Sequence, residues 1–586
     1  DILINLRIVR LEGDSGVKRV VFSLPDYGES FIANFNVGEM VQLYERTDTK
    51  DYVCNRQLVR GYIEEMSEEK LTLVLAYEQR LHYFSQNSLY AIEHDSSDAS
   101  FQQCLRGLYA LLLAENERRA LLLGQRLPRR DEECRLVSVP PESVRDIVLQ
   151  AKQAKDYFLL AGPPGTGKTN VALRSMVMEF LLSERQAGSG KAILLMAYTN
   201  RAVDEICGML ETVLAAYPWA DYVRIGQEGT CAERYRRRLL KWRMENCRNR
   251  NEALLMMEGF PIVVGTVMTL TNHLNLLKHK PFRVALLDEA SQVLEPQMLG
   301  VLTAGQSFPF IMIGDHKQLP AVVSQPPSQS VVTDPTLRAL GLVDLRNSLF
   351  ERLYLKAQRD GCWYAVARLS RQGRMHPDIG TFVSREFYEN ALFPLLLPHQ
   401  QGELEFSVPA CSRWEQFLSH TRLAFVHVEL PAGCVVDNPK ANVAEAEVTA
   451  AVVKALERMS ADAFEPGRVG VIVPFRAQIG HVKAAFRRAG IRDWADITVD
   501  TVECYQGSQR DFIVFSTTVC RAGQLSQLSE LHTIEGVSVD RKLNVAVTRA
   551  RLQFVMVGNA RILQHSPLYR RYMEEADYYS WTAEGV

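Results

Sequence analysis

The 586-residue sequence predicts an α/β protein in which two tandem domains, each on a parallel sheet, follow a small β-barrel and a helical stalk. Three patterns predict it. Short apolar runs cut by turn residues fill the first 95 positions. A helical period replaces them from Phe101 to Leu123. From Val144 onward, apolar strand-like runs alternate with helical stretches, as in parallel sheets covered on both faces.

The barrel, assigned to 1–95, rests on runs at Ile2–Val9, Val20–Leu24, Phe31–Phe35, Met40–Tyr44, Leu58–Ile63 and Leu71–Val74. Gly13-Asp14, Pro25-Asp26 and Gly38-Glu39 supply the turns. The stalk takes 96–135; Glu115, Glu117, Arg118 and Arg119 break its leucine-rich stretch, so it reads as an amphipathic helix. The first α/β domain is set at 136–345, with strands at Tyr157–Ala161, Ala192–Ala197, Ile262–Gly265, Val284–Leu287 and Phe308–Ile313. A charged, helical insertion is expected at about 215–258. The second domain takes 346–586, with strands at Leu423–Val428, Val469–Val473, Ile513–Thr518 and Phe554–Val557. An irregular insertion spans about Leu392 to Arg422.

Composition excludes several classes. With 47% hydrophobic and 23% charged residues the chain has no disordered bias, and no apolar run is long enough for a membrane-spanning helix. Its net charge of −2 means that any nucleic-acid binding relies on local basic stripes. The 11 cysteines form no C-x-x-C pair, which argues against a zinc ribbon and for reduced thiols in the cytoplasm or nucleus. The chain starts at Asp1 rather than Met, so it is read as a piece of a longer polypeptide, with an upstream domain or protein partner expected at the barrel.

The sharpest local signal is Gly162-Pro163-Pro164-Gly165-Thr166-Gly167-Lys168-Thr169. It follows an apolar run and precedes a helical pattern, the setting in which a G-x-x-x-x-G-K-[ST] loop cradles phosphates. Lys168 is expected on the β/γ-phosphates of ATP, and Thr169 supplies an oxygen to Mg²⁺. Asp288-Glu289 closes another apolar run: Asp288 is the second metal candidate and Glu289 the candidate base for the attacking water. These parts alone predict nucleotide hydrolysis.

Further residues carry a resemblance. Asp288-Glu289-Ala290-Ser291-Gln292, Gly314-Asp315-His316-Lys317-Gln318-Leu319-Pro320, Gln372-Gly373-Arg374-Met375-His376-Pro377, Val499-Asp500-Thr501-Val502 through Gln506-Gly507, and Leu543 to Arg551 resemble, in order, motifs II to VI of superfamily 1B helicases. The chain is most similar to the group containing the nonsense-mediated-decay RNA helicase and the DNA flap-processing nuclease-helicase, and Lys155-Asp156-Tyr157 with Ala197-Tyr198-Thr199-Asn200 leans to the latter. The resemblance implies two RecA-like P-loop domains that close on ATP. It implies Gln318 near the γ-phosphate, Arg374 and Arg549 as arginine fingers from the second domain, and Gly507 where the backbone approaches the phosphates. Arginine suits that role because its planar fork binds phosphate bidentately.

Three positions depart from the pattern. Gly373 stands where the family has an aromatic residue that stacks on adenine. The upstream glutamine is absent from Pro141-Glu142-Ser143-Val144-Arg145-Asp146. Gln509 replaces a common glutamate. The triphosphate contacts remain, so choice among nucleotides is expected to be relaxed.

The resemblance also lays single-stranded DNA, favoured over RNA, across Thr199, Asn200, Thr266, Pro474 and Thr501, with 5′ to 3′ movement. Hydroxyl and amide groups at loop ends suit backbone contacts without base reading. Pro474, lacking an N–H, only shapes its loop. A basic, aromatic-interleaved segment around Arg237 and Arg238 is a further candidate grip. The alternative is a nucleic-acid-stimulated NTPase that remodels or clamps complexes without unwinding.

Overall fold

The computed structural model describes residues 2–581 apart from 28–32, 36, 68, 96–98, 279, 304–307, 322, 324, 326, 430–437, 530 and 535–536. Part of the expected Phe31–Phe35 run therefore lies outside the described residues.

Six antiparallel strands close the barrel: Ile2–Glu12, Val17–Ser23, Lys70–Gln79, Val59–Met66, Met40–Glu45 and Tyr90–His94, which returns to the first. Alternate residues such as Leu3, Val20, Leu43, Ile63, Leu73 and Ile92 point inward and form its core. The barrel leans on residues 228–230, where Tyr62 lies against Gly229, and Asn34 accepts a hydrogen bond from Arg476 of the second lobe. It thus touches both lobes.

The stalk helix Ala99–Leu113 packs on Glu295–Leu302 so closely that a Cβ at Gly107 would collide with the Pro296 carbonyl. Its outward residues Phe101, Leu105, Tyr109 and Leu112 are exposed, so it is less amphipathic than expected. No described helix is long and apolar enough to cross a membrane.

The first lobe is a seven-stranded sheet, ordered Val366–Arg368, Tyr157–Ala161, Phe310–Gly314, Phe282–Leu287, Ala192–Ala197, Ile262–Thr266, Tyr222–Ile225. Every pairing in it is parallel. Two features differ from expectation. The first lobe runs past 345, because helix Leu349–Arg359 joins its core and Val366–Arg368 adds an edge strand beside Leu159–Ala161. The segment at 215–258 is not wholly helical either, since Tyr222–Ile225 forms the opposite edge strand.

The second lobe is a six-stranded parallel sheet, ordered Thr498–Thr501, Val469–Val473, Arg510–Ser516, Ala550–Gly558, Leu423–His427, Asp577–Ser580. A buried ion pair joins the lobes behind the cleft: Glu351 of the first accepts from Arg541 at 2.9 Å, with His532 at 3.0 Å.

Candidate functional site

The phosphate loop leaves Tyr157–Ala161 and enters helix at Lys168. Gly165 and Gly167 sit at φ +74° and +79°, which side chains avoid, and a Cβ at Gly162 would meet the Lys168 side chain at 2.3 Å. The glycines keep the cradle open. Across it, Lys168 Nζ lies 3.7 Å from Glu289 Oε1, so the amine leans on the candidate base. Glu289 itself stands at φ +52°, a strained conformation of the kind that gathers at functional sites.

The residues fit Mg²⁺. Thr169 Oγ1 donates to Asp288 Oδ2 at 2.5 Å, so the two expected ligands already converge. Asp288 is buried, and burial, followed by the charge of Glu289, pushes its carboxyl up. A cation there would relieve both.

From the second lobe, the Gly373 N–H donates to the Gly165 carbonyl at 2.9 Å, pressing that lobe onto the loop. Arg374 Nε donates to Gln509 Oε1 at 2.8 Å and Nη1 to the Thr548 carbonyl at 3.1 Å. Arg549 reaches across the cleft: Nη2 donates to Gln318 Oε1 at 3.1 Å. Its other bonds go to the Val545 and Ser508 carbonyls and to Thr548 Oγ1. Neither guanidinium has a carboxylate partner among the described residues. Burial works against both charges, and for Arg549 the nearby Arg374 adds to it. Two desolvated cations held on neutral acceptors make a socket for an anion.

Gly507, at φ +79°, faces Glu205 of helix Asn200–Ala216 across the cleft, 3.6 Å from where its Cβ would stand. Sequence reasoning missed Glu205, whose only signal is its place directly after Ala202-Val203-Asp204. Burial raises its carboxyl, with Asp288 and Glu289 contributing. It missed the clasp beneath Gln318 as well. Asp315 accepts from Gln318 Nε2 at 2.8 Å and from Tyr388 Oη at 2.6 Å, and Asn544 ties Tyr388 to the Lys317 carbonyl. At Gly373, where an aromatic ring is expected, a Cβ would approach Leu397 and Leu395 at 2.9 and 3.1 Å. Two leucines fill that space.

The nucleic-acid candidates lie at the carboxyl ends of strands. In the first lobe Ala197 pairs with Thr266, placing Thr199 and Asn200 beside it. Thr199 and Thr266 both cap helices, accepting from Ala202 N and Thr269 N at 3.1 Å. Thr199 is exposed, whereas Thr266 is buried and spends its hydroxyl locally. In the second lobe Thr501 pairs with Val473, so Thr501 and Pro474 form one row.

The basic segment divides. Arg238 is not a free grip: it donates to Glu211 at 3.1 Å and Asp221 at 2.7 Å and lies over the Tyr222 ring. Arg243 likewise binds Asp221. Arg237 is exposed and makes no ion pair among the described residues.

Comparison with known proteins gives a consistent set. Two families described as AAA domain match, one over residues 141–254 and 233–326, the other over 345–561. The chain is 27% identical over 488 residues, 79% of its length, to the DNA replication ATP-dependent helicase/nuclease DNA2 of Saccharomyces cerevisiae, covering 29% of that protein. It is 25% identical over 549 residues, 89% of its length and 38% of the other, to the DNA replication ATP-dependent helicase/nuclease JHS1 of Arabidopsis thaliana. Against the ATP-dependent helicase upf1 of Schizosaccharomyces pombe it is 25% identical over 483 residues, 75% of this chain and 46% of that one. The chain therefore spans less than half the length of these relatives.

Proposed function

We propose that this chain, which matches two families described as AAA domain and is 25–27% identical to ATP-dependent helicases, hydrolyses ATP between its two lobes and uses the cycle to step 5′ to 3′ along single-stranded nucleic acid, DNA before RNA. One observation carries this reading. Arg374 and Arg549 enter the cleft from the second lobe with no carboxylate partner among the described residues, opposite Lys168, Glu289 and Gln318 of the first.

The chemistry follows from the placement. Lys168 and the loop N–H groups bind the β/γ-phosphates. Thr169 and Asp288 would hold Mg²⁺, which when bound offsets phosphate charge. Glu289 orients the attacking water and accepts its proton, a role worth roughly 10²–10⁴-fold. Arg374 and Arg549 exchange neutral acceptors for the γ-phosphate, and that exchange draws the lobes together. Loss of the phosphate returns Arg549 to Gln318. Along the far edge, Thr199, Asn200, Thr501 and the turn at Pro474 carry the strand by its backbone, so no base is read. Leu395 and Leu397 in place of a stacking ring offer a purine no hydrogen bond, which supports relaxed nucleotide choice.

The test measures ATP turnover with and without single-stranded DNA and RNA, beside Glu289→Gln, and strand displacement from 5′- and 3′-tailed duplexes. Stimulated turnover, lost in the variant, with displacement from the 5′ tail is expected. Stimulation without displacement from either tail replaces the motor with a clamp or remodeller. No turnover sinks both.

A further inference from the structure

The strand Arg510–Ser516 begins beside Gln509, which holds Arg374, and ends in a strained turn. Thr518 stands at φ +62°, a left-handed conformation that a β-branched side chain rarely adopts. A carboxylate with no exposed surface keeps it there. Glu445, on helix Val443–Ser460, accepts from the Thr518 N–H at 2.7 Å, Ser516 Oγ at 2.9 Å and Thr517 Oγ1 at 3.4 Å. Asn442 Nδ2 adds a fourth bond at 3.0 Å, and Gln478 ties Asn442 to Ser516. Burial pushes the Glu445 carboxyl up to about 7, so the fold keeps it in place against its solvation.

Beyond the turn, the Cys520 and Arg521 N–H groups both donate to Gln524 Oε1 at 2.9 Å, which fixes the backbone at Arg521. The Arg521 side chain is exposed and makes no ion pair among the described residues. Register aligns this turn with the candidate track. Thr501 pairs with Val473 and Ile472 with Phe515, so Thr517 lies level with Pro474.

We propose that Arg521 is a further contact to the phosphate backbone of the bound strand, and that Glu445 is the positioning residue that holds it on the track through the Thr518 turn. The inference rests on the nucleic-acid reading of the carboxyl edge given above. It also gives the edge a mechanical link to the cleft. The connecting strand, at ~3.3 Å per residue, is a rigid element about 20 Å long. Its first residue follows Gln509, so a shift of Arg374 toward a nucleotide reaches the turn that carries Arg521.

The experiment uses the full chain and a fluorescein-labelled oligo(dT), with binding read by anisotropy between about 50 and 200 mM NaCl. Arg521→Ala is expected to lower the magnitude of the slope of log affinity against log salt by about 0.7, the value of one single-strand phosphate contact. Arg488→Ala, at the opposite end of helix Arg476–Arg488, keeps the parent slope. Glu445→Gln is expected to weaken binding by about tenfold, or 1.4 kcal/mol. Thr518→Gly accepts the left-handed backbone without help, so adding it to Glu445→Gln restores most of the loss. A carboxylate that only stabilised the fold would show no such rescue. An unchanged slope in Arg521→Ala overturns the phosphate contact, and failure of Thr518→Gly to rescue overturns the positioning role. If the parent chain itself does not bind the oligonucleotide, the nucleic-acid reading falls and takes this proposal with it.

Discussion

The proposed nucleotide cleft and the proposed nucleic-acid edge use the same two sheets by opposite means. In the first lobe both lie at carboxyl ends of strands: the phosphate loop, Asp288 and Gln318 on one half, Thr199 and Thr266 on the other. In the second lobe they part. Gln509 and Arg549 stand where strands begin, whereas Pro474, Thr501 and Thr518 stand where strands end. The cleft is assembled from side chains that bond across lobes. The edge is assembled from caps and turns that bond within one lobe and are aligned by register. On the proposed reading the difference teaches how selectivity would be divided: desolvated charge recognises one triphosphate geometry, while backbone-level groups accept any sugar-phosphate chain.

The largest expected effect tests the cross-lobe half of this contrast. Arg549→Ala removes a guanidinium that bridges to Gln318, and an arginine finger is worth roughly 10³–10⁵ in kcat. Single-turnover hydrolysis should fall by at least about a thousandfold. Loss of less than tenfold would mean that the first lobe works alone and that the contrast is wrong.

How much of this was legible in the sequence follows the same division. The phosphate loop is contiguous, and its glycines, lysine and threonine state their chemistry by type and spacing. Gln318, Arg374 and Arg549 are ordinary polar residues far apart in the chain, and only the ordered set of motifs marked them. The sequence sets the second domain at 346, whereas Val366–Arg368 pairs with the first sheet, because a strand of three residues is too short for any period to show. Tyr222–Ile225 hid in a charged stretch for the same reason. Both departures follow from tertiary pairing that local pattern does not encode. Glu445 and Arg521 were silent, since one depends on burial and a positive φ and the other on register across three strands.

A second prediction separates the two regions by pH. The Glu445 carboxyl titrates near 4.5 when unfolded and is raised to about 7 in the fold, chiefly by burial. Below about 4.5 both states are protonated. Between there and about 7 only the folded state keeps its proton, so stability is greatest at acid pH and falls as pH rises through the folded value. The parent chain should therefore lose on the order of 2 kcal/mol relative to Glu445→Gln between pH 5 and 8, read from paired denaturant melts. Asp288 in the cleft, pushed up to about 6 by burial and by Glu289, titrates alike in parent and variant, so the difference between the paired melts isolates the edge. Parallel melts in parent and variant would remove Glu445 as a titrating post.

The smallest effect decides the reach of the edge. Arg237 and Arg238 are neighbours that the sequence treats alike, yet the fold spends them differently. Arg238 is bound to Glu211 and Asp221 and covers Tyr222, so its charge is already neutralised within the first lobe. Arg238→Ala should cost up to about 1 kcal/mol of stability and leave the salt slope of oligonucleotide binding as it is, because no phosphate contact is lost. Arg237 is exposed with no ion pair among the described residues, on a segment that follows the edge strand Tyr222–Ile225. Arg237→Ala should leave melting unchanged and reduce the slope by up to about 0.7. If both variants keep the slope, the strand passes only over the caps and turns, and the basic segment serves the barrel docked on residues 228–230 instead.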